Sequence, residues 1–358
     1  MKKALLLTGI SWMDPLQRHQ QFASYLSKLG YEVYFVEHIV SSKFSIKKVI
    51  QLFKTAKLNR TRPKNEIPSH VHLVNMGFIN PGNGFFALVN FFKVIKMLKV
   101  YGKKYDLVIN YLPINTTRFI LNNIERKNTI YDCVRNFNGW GGYYKSIEKE
   151  EAYLSSIVNA IFCDSFYLKN KFRNAEVPVI QFFPIANDKW LEGCAIKKDI
   201  MKIKKIGYFG TIDKHIDINV FKLLINRGYE IHFWGVIECE VDLKLYRHGY
   251  VKDLGVLASQ IIATVDAILL PYRGNMDGVI PAKMFQALST KLPVFCSNFY
   301  DSRYLNKYIY VYNSKKELVE LMSNYTLKQH MEKVKCIDEF LGGKDESNQF
   351  QKFKRAIE

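Results

Sequence analysis

Leu269-Leu270-Pro271-Tyr272-Arg273 and, one loop later, Pro281-Ala282-Lys283-Met284-Phe285-Gln286-Ala287-Leu288 decide the fold of this chain. The first stretch is apolar and too short for a helix, so it reads as a buried strand. The second opens with proline and then spaces its apolar residues as a helix does. Proline at the first helical position loses no hydrogen bond and presets the backbone. Leu292-Pro293-Val294-Phe295-Cys296-Ser297 follows as the next strand. Strand, loop, helix and strand in that order make the repeating unit of a nucleotide-binding α/β domain. The free N–H groups of such a helix start, with Lys283 in its first turn, form a seat for a phosphate.

The same grammar extends in both directions. Residues 3–8 read as a short buried strand, 16–29 as a helix stopped by Gly30, and 31–37 as the next strand, which is a βαβ unit with a parallel sheet. Strands are expected again at 70–74, 107–111, 128–132, 160–165 and 179–183, with 184–188 as a linker. A second series starts after Lys197-Lys198, with strands at 203–210, 229–235 and 267–271 and helices at 219–226, 254–265 and 282–290. The expected fold class is therefore α/β, with two doubly wound, Rossmann-like domains facing a cleft. Residues 1–186 would form the first domain, 187–335 the second, and 336–358 a C-terminal helix packing back on the first.

At 358 residues, 48% of them hydrophobic, the chain has ample material for two cores. Lys and Arg outnumber Asp and Glu 52 to 33, a formal charge of +19. Such a balance calls for an anionic partner, whether nucleic acid, anionic lipid or a phosphorylated substrate. The six cysteines, at 133, 163, 194, 239, 296 and 336, form no CxxC pair and read as buried reduced thiols of a cytosolic protein. The opening Met1-Lys2-Lys3 and its apolar run break at Gly9 without a small-residue cleavage site, so they read as a strand rather than a signal peptide. No apolar run reaches the ~18–20 residues that span a bilayer.

Two segments of the first half combine apolar residues with lysine and arginine and contain no acid. Residues 43–64 carry Phe44, Ile46, Val49, Ile50 and Phe53 among Lys43, Lys47, Lys48, Lys54, Lys57, Arg60, Arg62 and Lys64. Residues 85–104 carry Phe85, Phe86, Leu88, Phe91, Phe92 and Ile95 among Lys93, Lys96, Lys99, Lys103 and Lys104. Both patterns suit helices lying at an anionic membrane surface; a core helix with a solvated basic face is the plain alternative.

Four pieces in this order resemble the GT-B class of glycosyltransferases, and within it bacterial enzymes of capsule, teichuronic-acid and other surface polysaccharide synthesis. They are Ser11-Trp12-Met13-Asp14-Pro15-Leu16-Gln17-Arg18-His19-Gln20, Tyr131-Asp132-Cys133, Gly207-Tyr208-Phe209-Gly210-Thr211-Ile212-Asp213-Lys214, and the run from Pro281-Ala282-Lys283 to Lys291-Leu292-Pro293-Val294. The last is similar to the Pro-x-Lys-x-x-Glu helix of that class. Many retaining members carry two glutamates separated by seven residues; here those positions hold Gly278 and Gln286, with Asp277 as the nearest acid. The stereochemical course is left open by that departure. Thr290 and Lys291 stand where the class has a small residue and glycine.

The resemblance implies a hexosyl-type transfer from a nucleotide-diphosphate sugar to a lipid-linked saccharide acceptor, at the inner face of the cell membrane, with no cofactor. No Asp-x-Asp motif occurs, so a metal-independent reaction is expected, with the leaving diphosphate held by backbone N–H groups, a helix dipole and basic side chains. The donor residues it implies are Gly210, Thr211, Lys214, Val251, Arg273, Lys283 and Gln286. Asp14 would be the base that takes the acceptor proton, or else a helix cap before Pro15; Asp132 is the rival base. Trp12, Arg18 and His19 would contact the acceptor, with Asn136 and Trp140 as further sugar contacts. The charge also admits a nucleic-acid-binding protein, but no helix-turn-helix, zinc finger or RNP-like run appears, so no specific nucleic acid is expected. A non-catalytic subunit of polysaccharide assembly is the other alternative, kept open by Gln286 and Gly278.

Overall fold

A computed structural model of the chain describes residues 1–14, 16–39, 66–79, 84–139, 146–195, 199–239 and 242–358. The basic segment 43–64, Pro15 and Trp140 lie outside the described residues. The chain divides into two compact units. Met1–Asp164, Leu168–Phe182 and Phe353–Glu358 make the first; Ser165–Tyr167 and Phe183–Lys352 make the second.

In the first unit the strands are β1 (Lys2–Leu7), β2 (Tyr31–Val36), β3 (Val71–Val74), β4 (Lys104–Asn110), β5 (Glu125–Cys133), β6 (Ala160–Cys163) and β7 (Val179–Gln181). They pair in the order β3-β2-β1-β4-β5-β6-β7, and the pairs are parallel. Leu7 lies in register with Val36 on one side and Asn110 on the other. Helices between successive strands cover a parallel sheet on both faces, so its strands are apolar throughout rather than alternating. Ala4, Leu5, Leu6, Leu7, Val33, Phe35 and Val36 are accordingly all buried. The strand order reverses between β1 and β4, which opens a crevice at their carboxyl ends.

The first helix is shorter than its periodicity suggests, Arg18–Lys28 rather than 16–29. Gln17 is the cap, and its backbone N–H donates to Gln20 Oε1 at 3.0 Å. Gly30 ends the helix at φ +79°, a conformation glycine adopts without strain. The inward face carries Phe22, whose ring lies 5.4 Å from Phe182 and 4.4 Å from Phe353. The end of the chain thus completes the core of the first unit.

The second unit has β8 (Lys205–Phe209), β9 (Glu230–Trp234), β10 (Tyr246–Gly249), β11 (Ala267–Leu270), β12 (Val294–Ser297) and β13 (Tyr310–Tyr312). Their order is β10-β9-β8-β11-β12-β13, again with parallel pairs. Here the reversal falls between β8 and β11. Helix Ala282–Ser289 follows β11 as expected, with Pro281 as its cap rather than its first helical residue. Lys291, just after that helix, takes the left-handed conformation at φ +56°. Its Nζ pairs with Asp338 at 2.6 Å, and its carbonyl accepts from His330 Nε2 at 2.9 Å.

Candidate functional site

The carboxyl edge of the second sheet is built around two glycines. At the end of β8, the N–H of Gly210 donates to the Trp234 carbonyl at 2.7 Å, with φ +103°. A Cβ on Gly235 would stand 2.7 Å from the carbonyl carbon of Gly210, so the two backbones approach as only glycine permits. Gly235 N–H donates in turn to the Gly249 carbonyl at 2.9 Å, which sets the loop after β10. Val251 lies half-buried in that loop.

Lys283, in the first turn of helix Ala282–Ser289, lays its side chain over Gly210. A Cβ on that glycine would come within 2.5 Å of the Lys283 Nζ. The ammonium donates to Tyr208 Oη at 2.9 Å, and Tyr208 Oη donates to the Thr211 carbonyl at 2.8 Å. Nζ also stands 4.8 Å from the centre of the Tyr208 ring. Among the described residues no carboxylate is within ion-pair distance of it. Burial pushes Lys283 down to about 8, against the opposing pull of Asp213. A desolvated ammonium lacking a bonded counter-charge is complementary to an anion. The start of the helix adds positive potential at the same end, although the Met284 N–H already donates to the Pro281 carbonyl at 2.9 Å.

Lys214 and Arg273 sit on the exposed rim. They meet through the backbone: Arg273 Nε donates to the Lys214 carbonyl at 2.7 Å, and Arg273 N–H to the His215 carbonyl at 2.8 Å. Gln286, three residues beyond Lys283, shares its helix face and is half-buried. Gly210, Thr211, Lys283 and Gln286 are therefore gathered at one end of the sheet, with Lys214 and Arg273 on its rim and Val251 in the neighbouring loop. Sequence reasoning missed Tyr208, which in a buried strand reads as a core aromatic, and Asp213, the acid whose field acts on Lys283. It also missed Asp301. That carboxylate is fully buried; its Oδ1 accepts from the N–H groups of Phe166 and Tyr167 at 2.6 and 3.2 Å. Burial raises it to about 6.

In the first unit, the residues expected at an acceptor site take more structural places. Asp132 is fully buried and held by Arg18, with Nε donating to Oδ2 at 3.0 Å and Nη2 bonded to Oδ1. Arg18 Nη1 donates to the Phe182 carbonyl at 2.7 Å. Burial raises the Asp132 carboxyl, and Arg18 opposes the rise. His19 is buried with its ring 4.0 Å from that of Tyr111, and burial, then Arg18 and Arg135, push it down to about 3. Trp12 is a core side chain rather than an open stacking surface: its Nε1 donates to the Glu66 carbonyl at 3.2 Å and its ring meets Phe35 edge-on at 5.1 Å. Asp14 does not cap the helix. Its Oδ2 accepts from Ser11 N–H at 2.9 Å and closes the turn after β1. Glu37, at the end of β2, was not singled out from sequence. Its Oε1 accepts from Trp12 N–H at 2.6 Å and Ser11 Oγ at 3.1 Å, pinning the same loop. Asn136 is buried.

No family model matches the chain, and no curated protein does. Solved structures do match along its whole length. Sucrose-phosphate synthase from Thermosynechococcus elongatus superposes with a TM-score of 0.62 at 10% identity, covering 100% of this chain and 99% of that one. Trehalose-6-phosphate from E. coli bound with UDP-2-fluoro glucose gives 0.64 at 9% identity, covering 99% of both chains. Anabaena HepE in complex with UDP and glucose gives 0.61 at 10% identity, covering 100% and 99%. With its two parallel sheets and interleaved helices, the chain has the α/β fold of the GT-B glycosyltransferases.

Proposed function

We propose that the protein is a glycosyltransferase whose second unit binds the diphosphate of a nucleotide sugar at Lys283. The supporting observation is the ammonium of Lys283: desolvated, resting on Gly210, and bonded among the described residues to a neutral hydroxyl and to no carboxylate. In the transfer, the bond between the anomeric carbon and the diphosphate oxygen breaks, and the diphosphate leaves with the electron pair. Lys283 and the helix start would meet that growing charge, which is where preorganised positive groups lower a barrier most. Gly210 lets the backbone approach the phosphates, and Gln286 offers the ribose both a donor and an acceptor. Lys214 and Arg273 would close on the diphosphate from the rim. These groups supply the electrostatics from the protein itself, which supports a metal-independent hexosyl transfer.

The acceptor reading is a lipid-linked saccharide in the synthesis of a bacterial surface polysaccharide, used at the inner face of the membrane. It is supported by the basic, apolar segments of the first unit. Asp14, on the loop after β1, is the base proposed to take the acceptor proton as the new glycosidic bond forms. Asp132, engaged by Arg18, is proposed to hold that unit together instead. The experiment is a thermal-shift and calorimetric screen of nucleoside diphosphates against the wild type and Lys283→Met. A diphosphate should raise the melting temperature of the wild type, since a ligand of the folded state alone stabilises it. Equal response of the two proteins to every diphosphate would remove Lys283, and with it this assignment.

A further inference from the structure

Helix Gly84–Tyr101 runs for 18 residues, about 27 Å at the usual rise, and is apolar on two opposite sides. One side is the expected core face. Ala87, Asn90, Val94, Met97 and Leu98 are buried; Asn90 exchanges two hydrogen bonds with the backbone of Ile79, and Phe91 stacks on Phe119 at 4.4 Å. The other side is a stripe at spacings of three and four: Phe85, Leu88, Phe92, Ile95 and then Lys99. It faces outward, with Phe85 74%, Phe92 63%, Leu88 50% and Ile95 42% exposed. Single exposed apolar side chains are ordinary, but four in one helical stripe mark an interaction surface.

The charge beside the stripe identifies the occupant. Lys96 and Lys99 lie exposed on the same side, one turn beyond Phe92 and Ile95, and no acid occurs from residue 84 to 105. The neighbouring lysines are partly engaged: Lys93 donates to the Gly77 carbonyl, and Lys104 pairs with Glu125 at 3.0 Å. A surface that is apolar at its centre and purely cationic at one end matches an anionic lipid bilayer, with acyl chains for the rings and headgroups for the ammonium groups. Among the described residues no helix is long and apolar enough to cross a membrane. We propose that this helix lies in the plane of an anionic bilayer, burying Phe85, Leu88, Phe92 and Ile95 and placing Lys96 and Lys99 among the headgroups. The proposal rests on the membrane part of the functional reading for its purpose, and on the helix alone for its physics.

The test uses the full chain and vesicles of phosphatidylcholine with or without phosphatidylglycerol, without donor or acceptor. The wild type should co-sediment with the phosphatidylglycerol vesicles. Lys96→Gln with Lys99→Gln should lower the partition coefficient by about tenfold or more. Phe85→Ser with Phe92→Ser should lower it on both lipids. In Phe92→Trp, emission should shift to the blue and be quenched by lipids brominated along their chains. These side chains are exposed, so the variants should keep the wild-type melting temperature. Unchanged partition of both double variants, or an unquenched tryptophan, overturns the proposal. So does a wild type that ignores vesicles and sediments as a dimer which Phe85→Ser with Phe92→Ser splits, because the stripe then belongs to a second copy. Diphosphate binding is read separately: vesicle binding without any nucleoside-diphosphate shift would sink the transferase reading and leave the docking helix standing.

Discussion

The Lys283 ammonium stands 2.9 Å from the Tyr208 hydroxyl and is held over Gly210, and so meets a dipole where a buried cation ordinarily meets a carboxylate. A charged hydrogen bond to a ligand is worth about 1.5–3 kcal/mol, so Lys283→Met should weaken nucleoside-diphosphate binding by about ten- to a hundredfold. The same substitution removes a desolvated charge, so it should leave the melting temperature of the free protein unchanged or higher. Calorimetry and a thermal melt on the same samples check both halves.

The ionisation of that lysine makes binding depend on pH. Its folded value of about 8 lies below the ordinary 10.5. Only the ammonium form attracts a diphosphate, and the bound anion raises its affinity for the proton. Diphosphate affinity should therefore fall as pH rises beyond about 8, with proton uptake by Lys283 on binding near that point. In the free protein the sign is opposite: between 8 and 10.5 the unfolded chain holds more protons, so this group adds stability as pH rises. Titrations in two buffers of different ionisation enthalpy would detect the uptake, and Lys283→Met should abolish it.

Asp132 and Arg18 form a buried pair, and removing one partner from such a pair costs about 3–5 kcal/mol, because the other charge is left unmatched. Asp132→Ala should therefore lower unfolding free energy by that order in urea melts. A catalytic base would behave differently: its loss would abolish turnover and leave the melt where it was.

Asp301 carries a carboxyl raised by burial to about 6 from 3.8. Across that interval the folded protein holds more protons than the unfolded chain, so this group's contribution to stability falls as pH rises from about 4 to 6. Asp301→Asn keeps an oxygen for the Phe166 and Tyr167 N–H groups and cannot ionise. It should flatten that part of the stability–pH curve and be neutral or stabilising at pH 7, as urea melts across the range would show.

Lys291 spends conformational energy at φ +56°, where a side chain costs about 1–2 kcal/mol and glycine almost nothing. Its exposed ion pair with Asp338 returns about 0–1 kcal/mol. Lys291→Gly should raise unfolding free energy by up to about 1 kcal/mol.

Most of the strands were legible because a parallel sheet leaves a strong mark. Leu5-Leu6-Leu7 and Ile268-Leu269-Leu270 admit little else than strands buried on both faces. β10 left no such mark, since Tyr246, Arg247, His248 and Gly249 are all exposed on the edge of the sheet. β13 is three residues long and below the reach of any period. Lys283 and Gly210 were readable because each belongs to a local motif, a helix start and a strand end. The Arg18–Asp132 pair joins residues 114 positions apart, and no spacing announces it. Tyr208 was hidden for another reason: its ring is a core residue and only its hydroxyl reaches the site. Pro281 is the cap and not the first helical residue: its φ of −61° suits either place, and its extended ψ of 135° decides for the cap.

Phe353 sits 4.4 Å from Phe22, although 330 residues of chain separate them. A ribosome making this protein releases every strand of the first sheet long before that phenylalanine emerges. Until then the aromatic cluster of Phe22, Phe162 and Phe182 lacks one of its rings. Nascent first units stay unfinished until residue 353 has been translated, and a fragment cut after the seventh strand would inherit the same hole permanently.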